Sequence, residues 1–166
     1  MLTIDIEHLR SLLSYDQLTG IMTWKTRHNN NKRGGKIQNG YVRIKIEGRF
    51  YEGHRVAWAL HYGAWPDVEI DHEDGNKANN SIKNLRIATK LQNQRNRRLQ
   101  KNNTTGYKGV IKHNGTEKWG AQIRFGGRQH RLGTFESPQI AAHEYNKAAI
   151  KHHGEFAVLN PIGEPK

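Results

Sequence analysis

The alternation of apolar and polar residues predicts a helix, a strand and a second helix in the first part of the chain. Residues 4–14 have the spacing of a short amphipathic helix, with apolar positions at Ile6, Leu9, Leu12 and Leu13. Residues 41–46 alternate between apolar and basic side chains, as in a strand with one buried face. Residues 54–62 again have helical spacing, and Gly63 follows as a helix terminator.

The middle of the chain has the pattern of a hairpin followed by a helix. A short strand is predicted at residues 68–72, and residues 85–87 are the candidate returning strand after a turn-rich segment. Thr89 is a favourable helix N-cap, and Gln92 three residues later completes a capping box. We expect this helix to extend to about residue 99, with a polar linker at residues 100–105.

The last third of the chain predicts a second, sheet-based domain. Short strands are predicted at residues 107–112, 118–125 and 128–134. Ser137 and Pro138 form a strong helix start, and the helix is expected to end near His153. The predicted fold class is therefore α+β. A first domain covers residues 1–99, and a second domain of three antiparallel strands packed on one helix covers residues 106–160.

The charge of the chain favours a polyanionic partner. The sequence has 27 Lys and Arg residues against 15 Asp and Glu residues, which gives a formal net charge of +12. Between Gly75 and Phe135, fourteen residues are basic and only Glu117 is acidic. Such a one-signed segment repels itself unless it meets opposite charge, so we expect it to be a contact surface for nucleic acid.

The composition also excludes several classes of protein. The chain has no cysteine, which excludes disulfides and thiolate zinc sites, so a bound metal needs His, Asp, Asn or Glu ligands. No apolar stretch has the length of a membrane span, and no signal peptide is recognisable. We therefore expect a cytoplasmic protein that does not associate with membranes. Nothing in the sequence implies a protein partner, and we expect a monomer on DNA.

Four polar residues at the predicted hairpin and helix could together hydrolyse a phosphodiester bond. Asp71 and Asn93 could supply oxygen ligands to one Mg²⁺ or Mn²⁺ ion. His72, with a pKa near neutrality, could take a proton from the attacking water. Asn84 could bond to His72 across the hairpin and fix its orientation, although Asn79 or Asn80 could take that place because the hairpin register is not determined by the sequence.

Other residues near this constellation have secondary roles in the sequence-based interpretation. Asp74 and Asn76 are expected to form turns, because Asx side chains bond to their own backbone. His54 is expected to hold the central helix in place rather than take part in chemistry. Asn96 and Arg97 follow Asn93 by three and four residues, so they could share its helical face and touch phosphate, and Arg95 is expected to be basic surface near DNA.

The first part of the chain resembles the small HNH nucleases of phages and mobile introns. The matching segments between residues 8 and 98 are Leu12-Leu13-Ser14-Tyr15, Thr19-Gly20, Thr23-Trp24, Gly40-Tyr41, His54-Arg55-Val56-Ala57-Trp58, Gly63-Ala64-Trp65-Pro66, Ile70-Asp71-His72, Asn84-Leu85-Arg86 and Gln92-Asn93. The resemblance implies that His72 is the general base, that Asp71 and Asn93 bind the metal, and that Asn84 orients the base. Asn93 stands where the last letter of the HNH motif is His, and this variant occurs among intron-type members.

Residues 104–160 resemble the DNA-binding domain of plant ethylene-response (Apetala-type) transcription factors. The matching segments are Gly106-Tyr107-Lys108-Gly109-Val110, residues 118–124, Arg131-Leu132-Gly133-Thr134-Phe135, residues 141–149 and Ala157-Val158-Leu159-Asn160. The resemblance implies a sheet that lies in the major groove and reads it with outward Arg and Trp side chains. The residues expected to contact DNA are Lys108, Lys112, Trp119, Gln122, Arg124, Arg128 and Arg131. Lys108 and Arg131 stand where plant members commonly have Arg and Trp, so the plant base preference does not transfer.

The sequence therefore predicts a site-selective DNA endonuclease of the homing type that uses one metal ion and nicks one strand as a monomer. The alternative is a sequence-specific DNA-binding regulator with a non-catalytic HNH scaffold. An RNA-directed nuclease is disfavoured, because the second domain resembles a reader of duplex DNA.

Overall fold

The computed structural model describes residues 4–25, 31–96, 99 and 103–162. Its contacts divide the chain into two compact units, residues 1–93 and 94–166. Within the described residues, no helix combines the length and the apolar character of a membrane span.

The first unit alternates short helices with two- and three-stranded antiparallel sheets. Its elements in chain order are α1 (Ile6–Leu12), β1 (Leu13–Tyr15), β2 (Met22–Trp24), β3 (Lys36–Gln38), β4 (Tyr41–Ile46), β5 (Arg49–Glu52), α2 (Gly53–Tyr62), β6 (Glu69–His72), a 3₁₀ turn (Ile82–Asn84), β7 (Leu85–Ala88) and α3 (Lys90–Arg95), whose last residues cross into the second unit. Strand β1 pairs with β2, the central strand β4 pairs with β3 and β5, and β6 pairs with β7. The strand predicted at residues 41–46 is confirmed, and the predicted central helix begins one residue early, at Gly53.

Two apolar clusters fix the positions of these elements. The larger one joins α1, the first two sheets and α2 through buried side chains, with Leu9, Leu13, Met22, Ile44, Ile46 and Val56 at its centre. A smaller one packs Ala57 of α2 against Ile70 of β6 and Leu85 of β7. Because burial of apolar area is the main stabilising term in folding, the smaller cluster holds the β6–β7 hairpin against α2. Asp71 and His72 lie on β6 of this hairpin.

Helix α3 is shorter than the sequence predicts. Its capping box is confirmed, because the Thr89 hydroxyl accepts from the Gln92 backbone at 3.3 Å and the Gln92 side chain accepts from the Thr89 backbone at 2.8 Å. The helix nevertheless ends at Arg95 instead of near residue 99, and it has no buried residue. Without an apolar face to pack, a helix of this length gains little from propagation.

The second unit contains β8 (Val110–Lys112), β9 (Trp119–Phe125), β10 (Arg128–Phe135), α4 (Pro138–His153) and a 3₁₀ turn (Gly154–Phe156). The strands form an antiparallel sheet in the order β10-β9-β8, and α4 packs on it through Ala141, Ala142, Tyr145 and Ala149. The predicted N-cap is confirmed, since the Ser137 hydroxyl accepts from the Ile140 backbone at 3.2 Å.

The first strand of this sheet begins at Val110, so the predicted start at residue 107 was wrong. Gly109 has a left-handed backbone with φ of +73°, and a Cβ there would overlap the Tyr145 ring. The chain therefore turns at Gly109 before it enters the sheet, and this turn leaves Lys108 outside the strand.

Candidate active site

The β6–β7 hairpin positions Asp71 and His72. Asp71 lies opposite Arg86, and His72 lies opposite Leu85 in the antiparallel register. Both Asp71 and His72 are buried, at 6% and 5% exposure. A buried carboxylate and a buried imidazole are retained in proteins only when partners compensate the lost hydration, so the partners of each residue define the site.

The imidazole of His72 contacts the Asn80 side chain and the rings of His54 and Tyr41. Its Nε2 atom lies 3.0 Å from Oδ1 of Asn80. The His54 ring meets it edge-on at a centroid distance of 5.2 Å, and the Tyr41 ring lies at 6.2 Å. Burial lowers the pKa of His72 from its usual value. The ring is therefore kept in the neutral form, the form that can accept a proton.

Asn80 is itself fixed by close packing from three other segments. It is fully buried, and its backbone carbonyl accepts a hydrogen bond of 2.8 Å from the Tyr15 hydroxyl. Burial, and next the nearby Asp16 charge, raises the pKa of Tyr15 to about 12, so the hydroxyl keeps its proton. A Cβ at Gly20 would overlap the Asn80 backbone, and a Cβ at Gly53 would lie 2.9 Å from Asn80 Nδ2. Both glycines allow this close approach.

Asn84 bonds to the loop and not to His72, which corrects the predicted partner of the histidine. The Asn84 amide donates to Asp74 Oδ1 at 3.0 Å and to the Asn79 carbonyl at 2.8 Å. Its Oδ1 atom accepts from the Asp74 backbone at 2.9 Å. These three bonds use both the oxygen and the nitrogen of the Asn84 amide, and they close the loop between β6 and β7. Asn80, which the sequence left as an alternative, occupies the position next to His72.

Asp71 forms an ion pair with its cross-strand neighbour. Its Oδ2 atom lies 3.0 Å from Nε and 2.9 Å from Nη2 of Arg86, and both side chains are largely buried. Two donors from one guanidinium hold the carboxylate in a single orientation. Arg86 therefore fixes one of the two residues that the sequence proposes as metal ligands.

The other proposed ligand, Asn93, contacts the strand that carries Asp71. Its Nδ2 atom donates to Oε2 of Glu69 at 2.6 Å. The oxygens of Asp71 and Asn93 are donors of the kind that Mg²⁺ and Mn²⁺ prefer, so the residue types present fit such an ion. Across the described ranges, no group of three or more His, Cys, Asp or Glu side chains could hold a metal, so water and substrate oxygens would have to complete the shell.

Sequence reasoning missed the wall of the site formed by Tyr41, His54 and Lys77. The Lys77 ammonium lies 4.5 Å from the centroid of the Tyr41 ring, and that ring lies 5.7 Å from the His54 ring. Burial lowers the pKa of His54 to about 3, with smaller contributions from His72 and Arg55. His54 is therefore neutral, and it packs against the proposed base in addition to lying on α2. The pattern gave no signal for this contact, since it depends on tertiary packing.

The sheet of the second unit brings three of the predicted DNA-contacting residues to one face. Gln122 and Arg124 alternate with the buried residues of β9, and Arg131 lies opposite Gln122 in the register. Gln129, which the sequence analysis missed, lies opposite Arg124 and donates to the Gln122 side chain. Directly opposed residues of an antiparallel pair point to the same side, so these four polar side chains share the sheet face that α4 does not cover.

Three other predicted contacts lie on the opposite side of the sheet by strand alternation. Trp119 shares its parity with the buried Ala121 and packs against the core, and Lys112 lies opposite Trp119 with its ammonium 5.7 Å from the ring centroid. Arg128 lies opposite Phe125, on that same side. Lys112, Trp119 and Arg128 therefore do not share the sheet face of Arg124. Strand parity in the sequence would have separated Trp119 from Gln122.

The remaining predicted DNA contacts precede the sheet. Lys108 donates to the Arg95 carbonyl at 2.6 Å, and burial lowers its pKa to about 8, so its ammonium is directed to the protein backbone. Asn96 is buried. Helix α3 ends at Arg95, so the helical face predicted to include Asn96 is not formed. Arg95 is half-buried. Arg97 lies outside the described residues.

The sequence of the first unit matches a known family. A family model described as HNH endonuclease matches residues 51–95, which include α2, the β6–β7 hairpin and α3. Protein 3.8 of Escherichia phage T7 is 32% identical over 113 residues, which cover 66% of this chain and 93% of that protein. The chain contains an HNH endonuclease domain and belongs to the same family as protein 3.8.

Other relatives are similar over a smaller share of their length. An uncharacterized HNH endonuclease of Acanthamoeba polyphaga mimivirus is 36% identical over 58% of this chain and 49% of its own length. An ethylene-responsive transcription factor of Arabidopsis thaliana is 35% identical over 60% of this chain and 62% of its own. The solved structure of the HNH homing endonuclease I-HmuI, described with its DNA binding and cleavage, is 28% identical, with a TM-score of 0.43 over 58% of this chain and 57% of that chain.

Proposed function

We propose that the protein is a site-selective, divalent-metal-dependent DNA endonuclease of the homing type that nicks one strand as a monomer. The observation that carries the proposal is the setting of His72, a buried neutral imidazole next to Asp71 in an HNH endonuclease domain. One such site in each chain suits the cleavage of one strand. A double-strand cut would need two chains or two successive events.

His72 acts as the general base in this proposal. Because a carbonyl oxygen only accepts hydrogen bonds, Oδ1 of Asn80 supports the tautomer in which Nε2 carries the proton and Nδ1 has the lone pair. Nδ1 takes a proton from water while the water oxygen attacks the phosphorus. The bond between phosphorus and the leaving sugar oxygen then breaks.

Asp71 and Asn93 would hold one Mg²⁺ or Mn²⁺ ion. Such an ion stabilises negative charge on the phosphate and on the leaving oxygen. The role of Arg86 is to keep the Asp71 carboxylate oriented, and the role of Asn84 is to close the loop that presents Asn80. Because these residues are held at fixed positions, the free-energy cost of reorganising the site during the reaction is small.

In this proposal, residues 106–160 form an ethylene-response-factor-like domain. This domain anchors the enzyme on duplex DNA. Gln122, Arg124, Gln129 and Arg131 share one face, and these side chains can bond to bases and phosphates. The similarity to a plant ethylene-responsive transcription factor supports this role. The net charge of +12 supports it as well, through release of counterions from DNA.

Conversion of supercoiled plasmid to open-circular DNA tests the proposal. The plasmids carry a library of genomic fragments, so that the lack of one target site does not hide the activity. We expect nicking with Mg²⁺ or Mn²⁺, no nicking with EDTA, and a loss of at least about 100-fold in Asp71→Ala. Salt-sensitive DNA binding without cleavage under any metal would overturn the enzymatic proposal and favour a DNA-binding regulator.

A further inference from the structure

A second carboxylate lies next to the proposed metal ligands. Glu69 and Asp71 are two residues apart on β6, so their side chains point to the same face of the hairpin. Asp71 is buried and paired with Arg86, whereas Glu69 is exposed and lies opposite Ala88. The proposed hydrolysis does not use Glu69.

The hydrogen bond from Asn93 to Glu69 determines which end of the Asn93 amide faces β6. A carboxylate only accepts hydrogen bonds, so the 2.6 Å contact selects Nδ2 and directs Oδ1 away from Glu69. A bond to an ionised acceptor is also stronger than a bond between neutral groups. With the opposite amide orientation, two oxygens would face each other, and Nδ2 would replace the oxygen needed for a hard cation.

The short helix that carries Asn93 offers little other restraint on this side chain. Helix α3 spans Lys90–Arg95, and none of its residues is buried. Its capping box fixes the backbone at Thr89 and Gln92 but leaves the Asn93 side chain torsions open. Among the contacts described for this helix, the bond to Glu69 ties the Asn93 amide to β6.

We propose that Glu69 is a positioning residue for the metal centre, which holds the Asn93 amide so that its Oδ1 atom is offered to a divalent cation. The inference rests on the proposed function, in which Asn93 is a ligand. Glu69 acts through Asn93 and is not itself a ligand. Residues that orient metal ligands typically affect metal affinity by about 10- to 100-fold.

Binding of Mn²⁺ to the full chain, followed by the electron paramagnetic resonance signal of free Mn²⁺, tests the proposal. Glu69→Ala should weaken binding by about 10-fold or more. Glu69→Gln should bind within about 3-fold of the parent, because the glutamine oxygen can still accept from Asn93. Asp67→Ala removes the same charge from an exposed position near β6 and should leave affinity unchanged. Equal loss in Glu69→Gln and Glu69→Ala would overturn the positioning role and indicate direct ligation by Glu69. Parental affinity in Glu69→Ala would also overturn the positioning role, because the metal centre would then not depend on Glu69.

A second readout separates this inference from the proposed function. In metal-free protein, the side-chain amide resonances of Asn93 should shift in Glu69→Ala and stay near the parent in Glu69→Gln, while backbone resonances distant from β6 are unchanged. Unshifted Asn93 resonances in Glu69→Ala would overturn the inference whether or not metal binds. If Asp71→Ala binds Mn²⁺ as the parent does, the proposed metal centre fails. If Asp71→Ala loses Mn²⁺ and Glu69→Ala does not, only the role of Glu69 fails.

Discussion

The Nε2 atom of His72 lies 3.0 Å from Oδ1 of Asn80, and Asn80 is buried among segments that come from other parts of the chain. The orientation of the proposed base therefore depends on tertiary packing. The nuclease motif suggests Asn84 as the residue that orients the base. Asn84 instead bonds to Asp74 and to the Asn79 carbonyl, and so closes the loop between β6 and β7.

Removal of the Asn80 side chain should slow cleavage. A hydrogen bond of this kind contributes about 1–2 kcal/mol, which corresponds to about a 5- to 30-fold decrease in kcat for Asn80→Ala. The measurement is single-turnover nicking at saturating protein and metal. Asn76→Ala is the matched control, because Asn76 is an exposed turn residue of the same loop. Equal rates in the two variants would contradict the orienting role.

Substitution of Gly20 should destabilise the first unit through the backbone of Asn80. Gly20→Ala places a Cβ in overlap with Asn80 and Ser81, in addition to the strain of a left-handed residue. Gly48→Ala has the same backbone strain, with φ of +82°, but its Cβ meets no atom within 4 Å. We expect a loss of about 1–2 kcal/mol for Gly48→Ala and a further loss of about 1–3 kcal/mol for Gly20→Ala, measured by urea unfolding. A Gly20→Ala variant as stable as Gly48→Ala would show that the contact is relaxed without cost.

The stability of the protein should fall in acid because of His54. Burial lowers its pKa to about 3 in the folded protein, against 6.5 in the unfolded chain. As the pH falls below 6.5, the unfolded chain takes up the proton first, so this contribution to stability is complete above pH 6.5 and declines toward pH 3. One such group changes the free energy of unfolding by up to about 1.4 kcal/mol per pH unit.

Urea unfolding at pH 7, 6, 5 and 4 checks this prediction. His54→Gln removes the titrating group, so the parent should lose about 1 kcal/mol more than the variant for each pH unit between pH 6 and 4. The free energy of unfolding of the variant should still fall with pH, because burial also lowers the pKa values of His72 and His153. Parallel pH profiles for the two proteins would show that His54 is solvated in the folded state.

The salt dependence of DNA binding should distinguish the open sheet face from Lys108. Arg124 is exposed on that face, so Arg124→Ala should lower the slope of log K against log salt by about one. Lys108→Ala should leave the slope unchanged, because its ammonium donates to the Arg95 carbonyl at 2.6 Å. Fluorescence anisotropy with a short duplex measures both slopes. A reduced slope in Lys108→Ala alone would reverse the assignment of the DNA-facing side.

Local patterns predicted the helices and strands of the chain better than they predicted side-chain partners. The caps at Thr89 and Ser137 were predictable, because each depends on residues within one helical turn. The partner of His72 was not, since Gly20 and Gly53 fix Asn80 from segments far away in sequence. The position of Trp119 was predictable, because it alternates in phase with the buried Ala121 along β9.

Single-turnover nicking of supercoiled plasmid by the His72→Ala variant tests the central claim most directly. The assay compares the parent, His72→Ala and His61→Ala at saturating Mg²⁺, and His61 serves as an exposed histidine of the same unit. Loss of a general base lowers rates by about 10²- to 10⁴-fold, and we expect that loss in His72→Ala alone, with DNA binding retained. Nicking by His72→Ala at the parental rate would contradict the assignment of His72 as the base.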